Sequence, residues 1–285
     1  MLVDTKPHTF DELIRISGLS HGTDVWLGNA QTLIEEGTVT LQDAICCRDD
    51  IMIYLIKKGV PPNPAFKIME TVRKGKALKD KEKWAEYVAL MKEHDVPDWY
   101  IKSCEKIKYM FPKAHAAAYV TNAFRIAWFK VHKPEAYYAA YFTIRADEFD
   151  SEIMCFGEDR VKNKMKEIDL AGNSATTKDK NMYAILELVL EMYERGIKFL
   201  PMDLYKSHAT KFLVEEDGIR PPLNSIPGLG TVAAEGIEEA KKDGTFMSID
   251  DMKIRSKIGK SVVELLDKFG CLKGMSQSNQ MSLFT

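Results

Sequence analysis

The sequence predicts a mainly α protein: a multi-helical region, one small β-hairpin segment, and a C-terminal pair of helices joined by a glycine turn. Three observations carry this expectation. Apolar residues recur at helical spacing along most of the 285 residues. Start and stop signals bracket those stretches, such as Thr9 before Phe10 and Pro134 after a long periodic run. Only Ile197–Pro222 alternates apolar and polar residues around turn signals, the pattern of a short hairpin.

Each element has its own local reason. Thr9 is an N-cap, with Glu12 three residues on completing a capping box, and Gly18 is read as the end of that helix. Residues 20–37, SHGTDVWLGNAQTLIEEG, begin with a turn and continue as a helix from about Asp24 to Glu36. LQDAICCRDDIMIYLIKKG, residues 41–59, supplies two more helices, closed by Gly59 and by Pro61, Pro62 and Pro64. Ala65–Lys74 and the highly charged Asp80–His94 are helical by period, and Pro97–Met110 leads into a longer helix. EAYYAAYFTIRA after Pro134 is helical and apolar, a packing element. Phe149–Leu170 and Asp179–Arg195 follow, separated by the loop AGNSATTK, and Pro221–Pro222 marks the next boundary.

The run Phe111–Pro134, FPKAHAAAYVTNAFRIAWFKVHKP, is the most informative stretch. Pro112 suits a helix start and Pro134 a stop. At about 100° per residue, Ala116, Val120, Ala123, Phe124, Ala127 and Val131 share an apolar arc. A narrower arc holds His115, Ala118, Asn122, Arg125, Ile126 and Phe129. His115 and Asn122 lie two turns apart, roughly 10 Å along the axis, with Arg125 nearby and Lys113 in the first turn. Donors and cations over that length can follow a triphosphate or a strand of phosphates, aided by the positive end of the helix dipole. An ordinary amphipathic helix with polar residues on its solvent face is the plainer reading.

Residues 225–244, SIPGLGTVAAEGIEEAKKDG, place Pro227, Gly228, Leu229, Gly230 and Thr231 before a helix with Ala233, Ala234 and Ile237 on one face. Such a turn exposes backbone N–H groups at a helix N-terminus, an anion site that positions a phosphate without reading sequence. The pattern resembles a helix-hairpin-helix, although a glycine turn is also a generic connector. RSKIGKSVVELLDKFGCL resembles a degenerate second hairpin with one turn glycine, Gly259, and Lys260 near phosphate; it suits a packing partner.

Composition narrows the options. The formal net charge of −2 gives no overall basic bias, yet Lys57–Lys113 holds fourteen Lys/Arg against eight Asp/Glu, consistent with a polyanion-facing surface. The five cysteines, Cys46, Cys47, Cys104, Cys155 and Cys271, show no zinc spacing and suit a reducing compartment. No apolar run approaches the roughly 20 residues of a membrane span, and LVDTKPHTF after Met1 has no signal-peptide character. A cytoplasmic protein with no membrane partner is expected.

FPKAHAAAYVTNAFRIAWFKVHKPEAYYAAYFT resembles the fingers signature of the C-family bacterial replicative DNA polymerases, in particular the Gram-positive, PolC type of polymerase III alpha subunit. SGLSHGTDVWLGNA (Ser17–Ala30), CRDDIMIYLI (Cys47–Ile56), KIMETVRKGK (Lys67–Lys76) and VPDWYIKSCEKIKYM (Val96–Met110) agree, in order. The resemblance covers essentially the whole chain. It implies fingers over residues 1–145, a helical and hairpin connector over 146–222, a helix-hairpin-helix DNA-binding domain over 223–274, and a flexible clamp-binding tail over 275–285. It implies contacts to an incoming deoxynucleotide by Lys113 and His115, then Arg48 and Arg73, with Lys74, Lys76 and Arg125 in matching motifs. Ser20 and His21, with Gly22 and Thr23, would lie near the base-pair pocket. Gln280, Leu283 and Phe284 form Q-x-x-L-F, similar to the peptide that bacterial polymerases insert into the sliding clamp.

The palm of this family binds two Mg²⁺ ions through an Asp-x-Asp pair and a third Asp. No D-x-D occurs here, and the adjacent pairs Asp49–Asp50 and Asp250–Asp251 point apart on a helix. The expectation is therefore a part of a DNA-directed DNA polymerase (a nucleotidyltransferase) that needs a palm-containing portion and is inactive alone. No cofactor is expected in this chain, with Mg²⁺ arriving only with the palm. Duplex DNA bound without sequence preference, the incoming deoxynucleotide and the sliding clamp are the implied partners. A free-standing helix-hairpin-helix adaptor that recruits the clamp is the alternative, followed by a structural helical protein whose motifs are relics.

Overall fold

A computed structural model of the chain describes residues 1–146 and 148–278. The chain forms two compact units, Met1–Arg125 and Ile126–Thr285. The described residues hold fifteen α-helices and one two-stranded sheet, so the protein is mainly α with a single small hairpin.

The first unit contains α1 (Leu2–Thr5), α2 (Phe10–His21), α3 (Gln31–Glu35), α4 (Arg48–Lys57), α5 (Pro62–Arg73), α6 (Lys81–Glu93) and α7 (Asp98–Lys106). It also holds most of α8 (Lys113–His132), inside which the boundary between the units falls. The capping box is present: Thr9 Oγ1 accepts from the Glu12 N–H at 3.3 Å, and Glu12 Oε2 accepts from the Thr9 N–H at 2.9 Å. The helix does not end at Gly18. It runs on to His21 because Gly18 serves a close approach: a Cβ there would lie 2.5 Å from both Cys46 O and Cys47 Sγ.

Two further expectations are corrected. The helix expected from Asp24 to Glu36 breaks at Leu27–Gly28, where Leu27 has ψ 128° and Gly28 has φ 64°, and resumes as α3. Residues 41–59 form one helix rather than two. Thr40 Oγ1 donates to Asp43 Oδ2 at 2.6 Å in a turn, and Asp50 Oδ2 accepts from the N–H groups of Cys46 (3.1 Å) and Cys47 (2.8 Å), which delays α4 until Arg48. The core beneath gathers Leu19, Ile51, Leu55, Ile68, Val72, Tyr100 and Met110, all almost fully buried.

Of the apolar arc expected on α8, Ala116 is buried and Val120 half-buried. From Asn122 to Phe129 every residue is exposed, with Phe124 at 54% and Phe129 at 50%. Helical period places Val120, Ala123, Phe124 and Ala127 on the same arc as Ala116, but such an arc is buried only where a core meets it.

The second unit contains α9 (Pro134–Arg145), α10 (Ser151–Met154), α11 (Glu158–Ala171) and α12 (Thr177–Glu194). The single helix expected over 149–170 is split at Phe156–Gly157, where Gly157 has φ 102°. The predicted hairpin is formed by β1 (Leu213–Glu215) and β2 (Gly218–Arg220), antiparallel with Val214 opposite Ile219. Tyr138, Phe142, Phe199 and Phe212 pack with Leu186, Val189 and Met192 into one core of this unit. Then come α13 (Thr231–Lys241), α14 (Ile249–Ser256) and α15 (Lys260–Lys268), closed over Leu223, Leu229, Ala234, Ile237, Met252 and Leu266. Among the described residues no helix is long and apolar enough to cross a membrane.

Candidate functional site

Six residues, Lys108–Lys113, draw the distant motifs of the first unit together by main-chain hydrogen bonds. The N–H of Lys108 donates to Thr23 O at 3.1 Å, and the Thr23 N–H donates to Tyr109 O at 2.9 Å. The Met110 N–H donates to Arg73 O at 3.3 Å, and the Arg48 N–H to Phe111 O at 3.1 Å. Finally, the Lys113 N–H donates to Asp49 Oδ2 at 2.6 Å, which caps α8 with a carboxylate from the first turn of α4. The end of α2, the start of α4, the end of α5 and the start of α8 are thereby held as one site.

Three of the expected phosphate-contacting cations meet at one carboxylate. Glu70 accepts two hydrogen bonds from Arg73, Nε to Oε1 at 2.7 Å and Nη2 to Oε2 at 2.9 Å. Lys74 Nζ lies 2.8 Å from Glu70 Oε2, and Arg48 Nη1 stands 3.8 Å from Oε1. The Arg73 and Lys74 hydrogen bonds hold the Glu70 carboxyl down at about 2. Lys113 Nζ pairs with Asp11 Oδ1 at 3.0 Å and keeps that carboxyl below its usual range. Sequence reading missed Glu70, Asp11 and Asp49. Glu70 had a visible signal, since it precedes Arg73 and Lys74 by three and four residues on one helix.

The expected histidines meet at Phe111. The His115 ring stacks on it at 5.0 Å and 22°, and His21 meets its edge at 5.8 Å and 84°. Tyr119 lies against His115, its ring tilted by 47° at 4.6 Å. With Ser17 and Ala116 these rings line a cleft of about 140 Å³. Ser20 Oγ lies 2.8 Å from His21 Nδ1, which orients that ring. Lys76 is exposed one turn beyond α5. Arg125 is exposed on α8 ten residues past His115, about 15 Å along the axis, so it does not join the cluster.

In the second unit the turn before α13 matches the chemistry expected of it. Gly228 has φ 88°, a conformation that favours glycine, and Gly230 is the N-cap with φ −70° and ψ 156°. No side chain caps α13 and no acidic residue lies in its first turn. The N–H groups of Gly230, Thr231 and Val232 have no hydrogen-bond partner among the described residues. Leu229 turns inward, 2% exposed, with its N–H bonded to Ile226 O, so it anchors the turn while its neighbours face outward. Pro227 is half-buried beside it. Helix α15 repeats the arrangement: Gly259 is its N-cap without a side-chain cap, and Lys260 is exposed above it, 3.6 Å from Glu264. By contrast α14 between them is capped by the Ser248 hydroxyl.

Gln280, Leu283 and Phe284 lie outside the described residues. Among the described residues no group of three or more His, Cys, Asp or Glu is placed to hold a metal ion. Asp49 and Asp50 act instead as caps, on α8 and on the segment before α4.

Residues 1–95 match the bacterial DNA polymerase III alpha subunit finger domain, and residues 196–282 match a helix-hairpin-helix motif. The chain thus carries a segment that matches the finger domain of this polymerase subunit followed by one that matches a helix-hairpin-helix motif. Along its whole length it is similar to part of PolC-type DNA polymerase III. It is 58% identical over 284 residues to the enzyme of Clostridium perfringens, 56% to that of Bacillus subtilis and 53% to that of Listeria monocytogenes. Each comparison covers 100% of this chain and 19% of the relative, so the chain spans about a fifth of the length of these curated relatives.

Proposed function

We propose that this chain is the finger and DNA-holding part of a replicative polymerase carrying out DNA-directed DNA synthesis. Lys113 and His115 contact the triphosphate of the incoming deoxynucleotide, with Arg48 and Arg73 behind them. His21 and Ser20 border the nascent base pair, and Lys74, Lys76 and Arg125 add positive charge. The turn Pro227–Thr231 and its counterpart at Gly259 and Lys260 hold duplex DNA by its phosphates, without sequence preference. Mg²⁺ and the metal-binding carboxylates belong to a palm-containing portion, so this chain alone incorporates no nucleotide.

The observation that carries the reading is the Lys108–Lys113 segment, which unites Arg48, Arg73, Lys113 and His21 from separate stretches of sequence at the N-terminus of α8. The cations gathered at this helix end, Arg48, Arg73, Lys74 and Lys113, outnumber the carboxylates Glu70, Asp49 and Asp11 that pair with them, a balance that supports binding of a triphosphate. The test is primer extension with a palm portion supplied in trans. Lys113→Ala and His115→Ala are expected to raise the KM for deoxynucleotide. An unchanged KM in both variants would overturn the contact roles.

The tail reading stands on its own resemblance. Leu283 and Phe284 are two apolar anchors of the kind that fill a clamp pocket, each contributing about 1.5–3 kcal/mol when fully buried. Leu283→Ala with Phe284→Ala is expected to abolish binding to immobilised sliding clamp in surface plasmon resonance. Equal binding by the double variant and the parent would exclude the tail.

A further inference from the structure

We propose that Glu70 is the positioning residue of the phosphate site: it holds Arg73, Lys74 and Arg48 as one preorganised cationic cluster. The inference rests on the reading of that cluster as the triphosphate contact. Its grounds are geometric. Arg73 engages both Glu70 oxygens in a planar fork at 2.7 and 2.9 Å, the arrangement that fixes a guanidinium in orientation as well as place. Lys74 closes on Oε2 at 2.8 Å from the same helix. Arg48, from the start of α4, approaches Oε1 only to 3.8 Å and makes no side-chain hydrogen bond among the described residues. Its Nε is buried 3.8 Å from Asp49 Oδ2, an ion pair without a hydrogen bond, and a buried donor left without a hydrogen bond is costly. Arg48 is therefore the least tightly held member of the cluster, with two ion pairs at 3.8 Å and no side-chain hydrogen bond. The other two are locked.

Charge counting sharpens the point. Three cations facing the carboxylates of Glu70 and Asp49 leave a surplus of one positive charge for an incoming anion. Without Glu70 the three would repel one another and take up separate rotamers, and each would lose rotamer freedom again on meeting a phosphate. Coulomb's law alone points the other way, because removing a carboxylate from a phosphate site should tighten anion binding. The sign of the effect thus separates a positioner from a mere competitor.

The experiment is calorimetric titration of the 285-residue chain with inorganic triphosphate at low ionic strength, for the parent, Glu70→Gln and Glu70→Asp. Glu70→Gln is expected to weaken binding about tenfold, with Glu70→Asp between it and the parent. In parallel, the Arg73 Nε–H resonance of the parent should stand apart from those of free guanidinium groups, and Glu70→Gln should return it to them. Should Glu70→Gln fail to fold, Arg73→Lys keeps the charge but loses the fork and is expected to weaken binding to the same degree. Binding by Glu70→Gln as tight as the parent's, or tighter, overturns the positioning role and leaves the phosphate reading standing. A folded parent that takes up no triphosphate overturns the phosphate reading and the positioning role with it.

Discussion

Asn29 and Ser103, 74 positions apart, close a buried reciprocal pair: Ser103 Oγ donates to Asn29 Oδ1 at 2.7 Å, and Asn29 Nδ2 donates to Ser103 O at 3.2 Å. Asn29 Nδ2 also reaches Asp24 O at 3.0 Å, across the break at Leu27–Gly28. At 1% exposure Asn29 has no water to fall back on. This pair pins the irregular segment after His21 to α7, and so holds the floor beneath Thr23 and the Lys108–Lys113 segment.

Asn29→Ala is expected to lower stability by about 1–3 kcal/mol, because it strands a buried hydroxyl and two carbonyls. Ser103→Ala added to it should cost less than when made alone, since the partner is already gone. Urea unfolding of the two single variants and the double variant measures this. Strictly additive losses would mean that the pair is not coupled.

Gly230→Asp separates helix capping from DNA binding. Gly230 has extended backbone angles, and a Cβ there meets nothing within 4 Å, so an aspartate fits without strain. Its carboxylate would cap the N–H groups of α13 and raise stability by about 0.3 kcal/mol, since glycine is itself an acceptable N-cap. The same carboxylate would occupy the place proposed for a DNA phosphate and repel it, so affinity for any duplex should fall about tenfold while the fold tightens. Fluorescence anisotropy against two unrelated duplexes, at two salt concentrations, reads the effect. Unchanged affinity in a folded variant would remove this turn from the DNA surface.

Acid should weaken the first unit through Glu70. Its folded pKa of about 2 lies below the ordinary 4.5, so the unfolded chain binds the proton more tightly. The contribution is fully present above pH about 4.5 and is lost as pH falls from there through about 2. Glu70→Gln removes the titrating group. Denaturant midpoints for parent and variant should differ at pH 7 and converge towards pH 2. Parallel pH profiles would show that the Arg73 fork contributes nothing to stability.

Much of this protein was legible from sequence because the relevant signals are local. The capping box at Thr9 and Glu12, the hairpin of Leu213–Arg220, the glycine turn before α13 and the mainly α class each follow from residues a few positions apart. The cations of the proposed phosphate site were legible as residue types within motifs. Their partners were decided by tertiary structure, because charge pairing and ring stacking depend on distances that chain order does not specify. Arg48 meets Glu70 from another helix, and His21 meets His115 through Phe111 across more than ninety residues. The same cause accounts for the misread boundaries. Gly18 looks like a helix stop until the Cys46–Cys47 segment is packed against it, and the chain from Asp24 looks helical until Ser103 captures Asn29. Periodicity and capping act within a turn or two of helix, whereas a close backbone approach or a buried polar pair exists only once distant segments have met.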